Sequence, residues 1–92
     1  MLKNSFDIDG VINMDNFNGV YPGKDDIIIT GRSKDERPET EAMLKSKGIT
    51  NNVYYNPIPF DQKTRLSSGR HKGHTLFYLE QSGMRFGIHY ED

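Results

Sequence analysis

Three consecutive isoleucines followed by a threonine, residues 27–30, restrict the fold of this chain more than any other segment. A continuous run of β-branched residues predicts a strand that is buried on both faces. Strands of this kind belong to parallel sheets, which carry helices on each side. The rest of the sequence must therefore supply further strands, and helices that cover both faces.

The remaining apolar segments alternate between strand and helix patterns. Strands are predicted at residues 5–8, 53–55 and 85–90, and helices at residues 36–47 and 71–82. The first helix begins with acidic residues and ends with lysines, as the helix dipole favours, and Gly48 follows as a C-terminal cap. Residues 13–25, rich in Asn, Gly and Asp, are predicted to be a loop or small flap. This order predicts an α/β fold with βαβ units, right-handed crossovers and a mostly parallel sheet of about four strands.

Length and composition narrow the class of protein. The 92 residues suffice for one domain, placed at residues 1–92. Cysteine is absent, which excludes disulfides, thiolate metal sites and a cysteine nucleophile. No apolar run is long enough to span a membrane, and the first residues lack the apolar core of a signal peptide. We therefore expect a cytoplasmic protein with no membrane contact.

Charge is unevenly distributed along the chain. The net charge of −1 argues against a general nucleic-acid binder that depends on bulk positive charge. The stretch from Gln62 to Leu79 nevertheless contains no acid, while it carries the cations Lys63, Arg65, Arg70 and Lys72 and the histidines His71 and His74. It is either a solvated surface or an anion-attracting rim beside a site that handles anions.

The predicted fold indicates where a site would lie. In an open α/β sheet, ligands bind beyond the carboxyl ends of the strands, near the point where the strand order reverses. The residues predicted at these ends are mainly polar, and they are Asp7, Asp9, Thr30, Gly31, Arg32, Asn56, Glu91 and Asp92. Carboxylates therefore follow two of the four strands and a hydroxyl ends a third.

Asp7 and Asp9 form the most informative pair. Alternate residues of an extended strand point to the same side, so the two carboxylates leave the strand end together. They repel each other unless a cation neutralises them or one of them takes up a proton. Mg²⁺ accepts such oxygen ligands, and a carboxylate can attack a phosphoryl group. Gly10 permits a sharp turn and close approach of a ligand to the backbone.

Four motifs in order resemble the haloacid dehalogenase-like phosphohydrolase superfamily. Asp7-Ile8-Asp9-Gly10-Val11-Ile12 is similar to the first motif, and the isoleucine run ending in Thr30-Gly31-Arg32 to the second. Lys72, predicted to open a helix, resembles the third, and Glu91-Asp92 after an apolar strand resembles the fourth. The resemblance spans residues 6–92 and implies a Rossmann-like three-layer sandwich.

The resemblance also implies roles for individual residues. Asp7 would be the nucleophile and a Mg²⁺ ligand. Asp9 would bind the metal through its carbonyl oxygen and act as general acid and base through its carboxylate. The phosphate would be bound by Gly10, Thr30, Gly31, Arg32 and Lys72, with Thr30 and Lys72 counted as catalytic. Glu91 and Asp92 would complete the metal site.

Several of these roles have alternatives. Thr30 could instead cap the turn that follows it, and Arg32 is equally compatible with an exposed position. Lys63 and the neighbouring arginines compete with Lys72 for the cationic role. His71 and His74 lie three positions apart, but no third zinc ligand is evident.

The spacing between motifs leaves no room for a cap domain. Capless members of the superfamily have open sites, so we expect a large or polyanionic phosphorylated substrate: a nucleotide, a nucleic-acid end or a phosphoprotein. A homo-oligomer could supply a lid or cover a sheet edge. Members usually continue past the fourth motif with another helix and strand, so we expect either a minimal core or a shortened chain. The alternative function is a catalytically weak module that binds phosphate or supports assembly.

Overall fold

A computed structural model of the chain describes residues 2–14 and 17–91. The described residues form six strands, namely β1 (Lys3–Phe6), β2 (Asn13–Met14), β3 (Phe17–Asn18), β4 (Ile27–Ser33), β5 (Val53–Asn56) and β6 (Phe86–Tyr90). The helices are α1 (Arg37–Ser46), preceded by a 3₁₀ turn at Lys34–Glu36, and α2 (Arg65–Gln81). No helix in this part of the chain has the length and apolar character needed to cross a membrane.

The main sheet has the strand order β5-β4-β1-β6, and every pair in it is parallel. The prediction of an α/β fold with a parallel sheet of four strands is confirmed. The connection from β4 through α1 leads to the adjacent strand β5, whereas the connection through α2 leads back across the sheet to β6. The strand order therefore reverses at β1, between its neighbours β4 and β6, which is where such folds bind ligands.

The isoleucine run is buried on both faces because each helix covers one of them. Ile28 packs into one apolar cluster with Leu44 of α1, and Ile27 and Ile29 pack into a second cluster with Leu79 of α2. Alternate residues of a strand point to opposite faces, so three adjacent isoleucines serve two cores. The inference drawn from this run is confirmed.

The second helix starts earlier than predicted. It begins at Arg65 and not at residue 71, because Thr64 caps it. The Thr64 hydroxyl accepts the N–H of Ser67 at 3.1 Å, and the Ser67 hydroxyl accepts the N–H of Thr64 at 2.8 Å. Such reciprocal caps stabilise a helix start. Lys72 consequently lies within α2, and the prediction that it opens a helix is wrong.

The ends of two strands also differ from the prediction. β1 ends at Phe6, and the chain turns at Asp7 to Ile12, with Gly10 at a φ of 81°. The small hairpin of β2 and β3 follows, within the segment predicted as a loop or flap. β4 continues to Ser33, so Thr30 and Gly31 lie inside the strand and not at its end. The pairing of β4 with β5 is irregular between Ile29 and Ser33.

Candidate functional site

Asp7 is the first residue after β1, at the point where the strand order reverses. Its backbone N–H donates to the carbonyl oxygen of Tyr90 at 2.9 Å, which aligns the end of β6 with it. The carboxylate is buried: Oδ1 accepts the N–H of Ile8 at 2.8 Å, and Oδ2 forms an ion pair with the Lys72 ammonium. Asp7 and Lys72, both predicted site residues, are thus in direct contact.

Lys72 reaches Asp7 because α2 lies close to the sheet. One turn earlier on the helix, Ser68 packs against Gly31 of β4. A Cβ at Gly31 would stand 2.9 Å from the Cβ and Oγ of Ser68, which is too close for any other residue without a shift of the helix. Gly31, predicted to bind phosphate, therefore has a packing role, and Ser68 is a contributor that sequence reasoning missed.

The Asp9 carboxylate forms an ion pair with Arg32, whereas Lys72 pairs with Asp7. The Arg32 guanidinium donates from Nε to Asp9 Oδ2 at 3.0 Å and from Nη2 to Oδ1 at 2.7 Å. Its Nη1 donates to the hydroxyl of Thr40 on α1 at 3.1 Å, and Thr40 is fully buried. The hydrogen bonds from Arg32 hold the pKa of Asp9 below its ordinary value. The pair brings together two predicted site residues, although no sequence motif predicted their contact.

Thr30 is fully buried beneath these groups. Its hydroxyl oxygen accepts the backbone N–H of Arg32 at 3.1 Å, so it braces the strand that carries Arg32. The observed contact is therefore local, close to the alternative in which Thr30 caps the chain that follows it, and the role of Thr30 as a phosphate donor stays a prediction.

The predicted metal ligands are only partly described. Glu91 follows Tyr90 at the same end of the sheet as Asp7 and is exposed, whereas Asp92 lies outside the described residues. Among residues 2–14 and 17–91, no three His, Asp or Glu side chains are grouped closely enough to hold a metal ion. Mg²⁺ usually keeps several waters and takes one or two carboxylates, so the oxygen donors of Asp7 and the Asp9 carbonyl fit its chemistry.

The predicted basic rim is partly neutralised within the fold. Lys72 pairs with Asp7, and Lys63 pairs with Glu36 at 2.7 Å. Burial opposes ionisation of Glu36, but Lys63 and the backbone N–H of Ser33 outweigh it and lower the pKa of Glu36. Since Lys63 is engaged there, Lys72 is the lysine that contacts Asp7.

His71 and Asn56 have structural partners. His71 Nε2 lies 3.1 Å from the carbonyl oxygen of Tyr54 and therefore donates to it, while Nδ1 lies 3.3 Å from the Thr75 hydroxyl and accepts from it. Burial lowers the pKa of His71, so the neutral ring is favoured. Asn56 is fully buried, and its oxygen accepts the N–H of Ile58 at 3.1 Å. Both ring nitrogens of His71 are therefore engaged within the fold.

Comparison with known proteins adds no relative to this description. No model of a protein family matches the chain, no curated protein matches it, and no solved structure matches it. The functional conclusion therefore depends on the site itself.

Proposed function

We propose that this protein is a Mg²⁺-dependent phosphohydrolase with a capless core of the haloacid dehalogenase type and a Rossmann-like arrangement. One observation carries the proposal: the buried carboxylate of Asp7 lies beside the Lys72 ammonium at the reversal of the strand order. A nucleophilic carboxylate needs such a position, because substrates reach the carboxyl ends of parallel strands. The Lys72 ammonium would offset the repulsion between the Asp7 carboxylate and the phosphate group of the substrate.

The reaction would proceed in two steps on Asp7. The carboxylate attacks phosphorus, and the bond from phosphorus to the leaving oxygen breaks as Asp9 donates a proton to that oxygen. Asp9 then removes a proton from a water molecule, which attacks the phosphoaspartate, releases phosphate and restores Asp7. Lys72 and the Thr30 hydroxyl would stabilise charge on the phosphoryl oxygens. Mg²⁺, held by Asp7, the Asp9 carbonyl and Glu91 or Asp92, would supply further positive charge to those oxygens.

The acid step requires a rearrangement at Arg32. A general acid works best when its pKa lies near the working pH, whereas Arg32 lowers the pKa of Asp9. An incoming phosphate would compete for the same guanidinium, because bidentate pairs form equally well with phosphate and carboxylate. Transfer of Arg32 from Asp9 to the substrate would release Asp9 for proton transfer.

The pairing of Asp9 with Arg32 also supports a second candidate function. A module that binds phosphate without turnover needs a cation such as Arg32 or Lys72 but no acid. In that case Arg32 would move to the bound phosphate, while Asp9 would serve only to hold the guanidinium when phosphate is absent.

Hydrolysis of p-nitrophenyl phosphate separates the two candidates. We expect turnover that requires Mg²⁺, stops with EDTA and falls at least about 100-fold in Asp7→Asn, since loss of a nucleophile removes the covalent route. Asp61→Asn, which removes an exposed carboxylate from the loop after β5, is the matched control and should keep full activity. Equal turnover by Asp7→Asn contradicts the phosphoaspartate route. No turnover, together with phosphate binding that Arg32→Gln abolishes, supports the binding module.

A further inference from the structure

The outer edge of β5 is open to a further strand. Within the described ranges, β4 is the strand that pairs with β5, and β5 ends the sheet. The Asn52 carbonyl accepts the N–H of Ile28 at 2.9 Å, and the register sets Ile28 opposite Val53. In such a ladder the N–H and C=O of Val53 and Tyr55 point away from β4.

β5 has only part of the usual protection of an edge strand. Exposed edges are commonly blocked by short strands, by charged side chains, by proline or by a bulge that turns the edge away. β5 is four residues long and its pairing with β4 is irregular beyond Ile29, but Val53, Tyr54, Tyr55 and Asn56 carry no charge, and Pro57 comes only after the strand has ended. The outward backbone groups of Val53 and Tyr55 can therefore accept a short added strand.

Hollows flank this edge on both sides. A cavity of about 380 Å³ lies on the α1 side and is lined by Arg37, Glu41 and Tyr55 among others. A cavity of about 530 Å³ is lined by the same tyrosine together with His71 and Thr75 of α2. Because alternate side chains of a strand point to opposite sides, an added strand would place one set of side chains in each hollow.

Tyr55 contributes its ring to the lining of both hollows. Its hydroxyl is buried and lies close to the Glu41 carboxylate, so the ring and the main chain of Tyr55 are what an incoming strand would meet. Burial raises the pKa of Tyr55 and nearby Glu41 raises it further, so the phenol stays protonated.

The charge around the edge selects the partner. The described residues that line the hollows on and beside β5 include three cations, Lys34, Arg37 and Lys45, and the acid Glu41. Glu41 and Arg37 neutralise each other, so the positive excess of this lining comes from Lys34 and Lys45. A second copy would bring the same excess and be repelled, whereas an acidic segment is attracted.

We propose that the outer edge of β5 binds an extended acidic peptide segment, which adds to the sheet as a fifth strand. The main chain of the segment bonds to Val53 and Tyr55, and its acidic side chains face Lys34 and Arg37. This binding requires no reaction at Asp7 and holds for either function discussed above.

Nuclear magnetic resonance titration tests the proposal with three synthetic peptides. The first alternates valine with glutamate over eight residues, the second replaces each glutamate by lysine, and the third carries N-methyl groups on alternate residues of the first. With the first peptide at up to about 1 mM, near the weak limit of specific binding, we expect shifts of the Val53 and Tyr55 amide signals. The lysine and N-methyl peptides should bind at least about tenfold more weakly, since they lose charge pairing or main-chain bonds.

Two double variants separate charge at the edge from overall charge. Lys34→Glu with Arg37→Glu should weaken binding of the glutamate peptide at least about tenfold. Arg65→Glu with Arg85→Glu changes the net charge equally at exposed positions that line none of these hollows and should bind normally. The proposal is overturned if the Val53 and Tyr55 signals do not move, if both double variants bind alike, or if sedimentation of the protein alone shows a dimer in which these amides are protected.

Discussion

The Arg32 guanidinium donates two hydrogen bonds to the Asp9 carboxylate, although the residues lie 23 positions apart in the chain. Thr40 holds the third nitrogen of the same guanidinium from α1. One arginine therefore ties the turn after β1, the carboxyl end of β4 and the first helix together. Its position makes it accessible to anions that enter the open end of the sheet.

Removal of Arg32 should raise the pKa of Asp9. Arg32→Gln deletes the hydrogen bonds that lower this pKa, so we expect it to return towards the ordinary aspartate value of 3.8. Carboxyl signals of the ¹³C-labelled protein, followed during an acid titration, measure the change. Arg37→Gln, at an exposed arginine that begins α1, should leave the titration of Asp9 unchanged. An unaltered Asp9 pKa in Arg32→Gln would show that the pair does not persist in solution.

The same pair should contribute to acid sensitivity. Because the folded pKa of Asp9 lies below the unfolded value, its stabilising effect is present above pH 3.8 and is lost as the pH falls through the lowered value. Urea unfolding between pH 5 and pH 3 should therefore show a smaller loss of stability in Arg32→Gln than in the unaltered protein. A steeper loss in the variant would contradict this assignment.

Asp7 and Lys72 should be energetically coupled. Lys72→Met leaves a buried carboxylate without its cation and should lower the free energy of unfolding by about 1–3 kcal/mol. Asp7→Asn combined with Lys72→Met should lose less than the sum of the single changes, with a coupling of about 0.5–3 kcal/mol. Urea unfolding of all four proteins gives the value. The exposed pair Arg37 and Glu41 serves as the control and should couple more weakly; additive effects at Asp7 and Lys72 would exclude a contact.

Two glycines should respond in opposite directions to alanine. Gly31→Ala drives a methyl group against Ser68 and should destabilise the fold by about 1–3 kcal/mol, as overpacking does. Gly73 lies within α2 with open space where a Cβ would stand, so Gly73→Ala should stabilise by about 0.5–1 kcal/mol through helix propensity. Thermal unfolding of both variants measures the pair of effects. If Gly31→Ala does not lower the stability, α2 lies further from β4 than the contact with Ser68 implies.

His71 should make stability depend on pH near neutrality. Burial lowers its pKa in the folded state, so the unfolded chain takes up a proton first, and stability falls as the pH drops below the ordinary value of 6.5. His71→Gln should flatten this dependence in urea unfolding between pH 7.5 and pH 5.5. His74→Gln, one turn further along α2, is the control variant and should retain the pH dependence of stability. An unchanged slope in His71→Gln would assign the dependence to another group.

The sequence predicted the features that local pattern controls. The isoleucine run identified a two-faced strand because burial on both sides leaves no alternation, and Gly48 marked the end of α1, where its φ is 75°. The contact between Asp7 and Lys72 followed from the motif order, although Lys72 lies in the middle of α2. These features depend on residues close in sequence or on a resemblance that spans the chain.

The sequence did not reveal features that depend on tertiary contacts. Residues 67–69 have low helix propensity, yet the Thr64 cap and the packing of Ser68 on Gly31 hold them in α2. The pairing of Asp9 with Arg32 depends on β4 continuing past Thr30, which a run of isoleucines does not indicate. The open edge of β5 could not be predicted without the strand order, because the sequence alone does not show which strands lie at the edges of the sheet.

The path of the chain through α2 sets the time at which the site forms during folding. β1 pairs on one side with β4, which follows it closely in the chain, and on the other side with β6, which lies near residue 90. The contact between the Ser5 hydroxyl and His89 joins residues that are 84 positions apart. Contacts between such distant residues slow folding, because a long loop must close before they form. A chain still emerging from the ribosome would carry Asp7 without Lys72 or the Tyr90 carbonyl. Whatever the site binds or transforms, it becomes competent only after the chain has been synthesised as far as Tyr90.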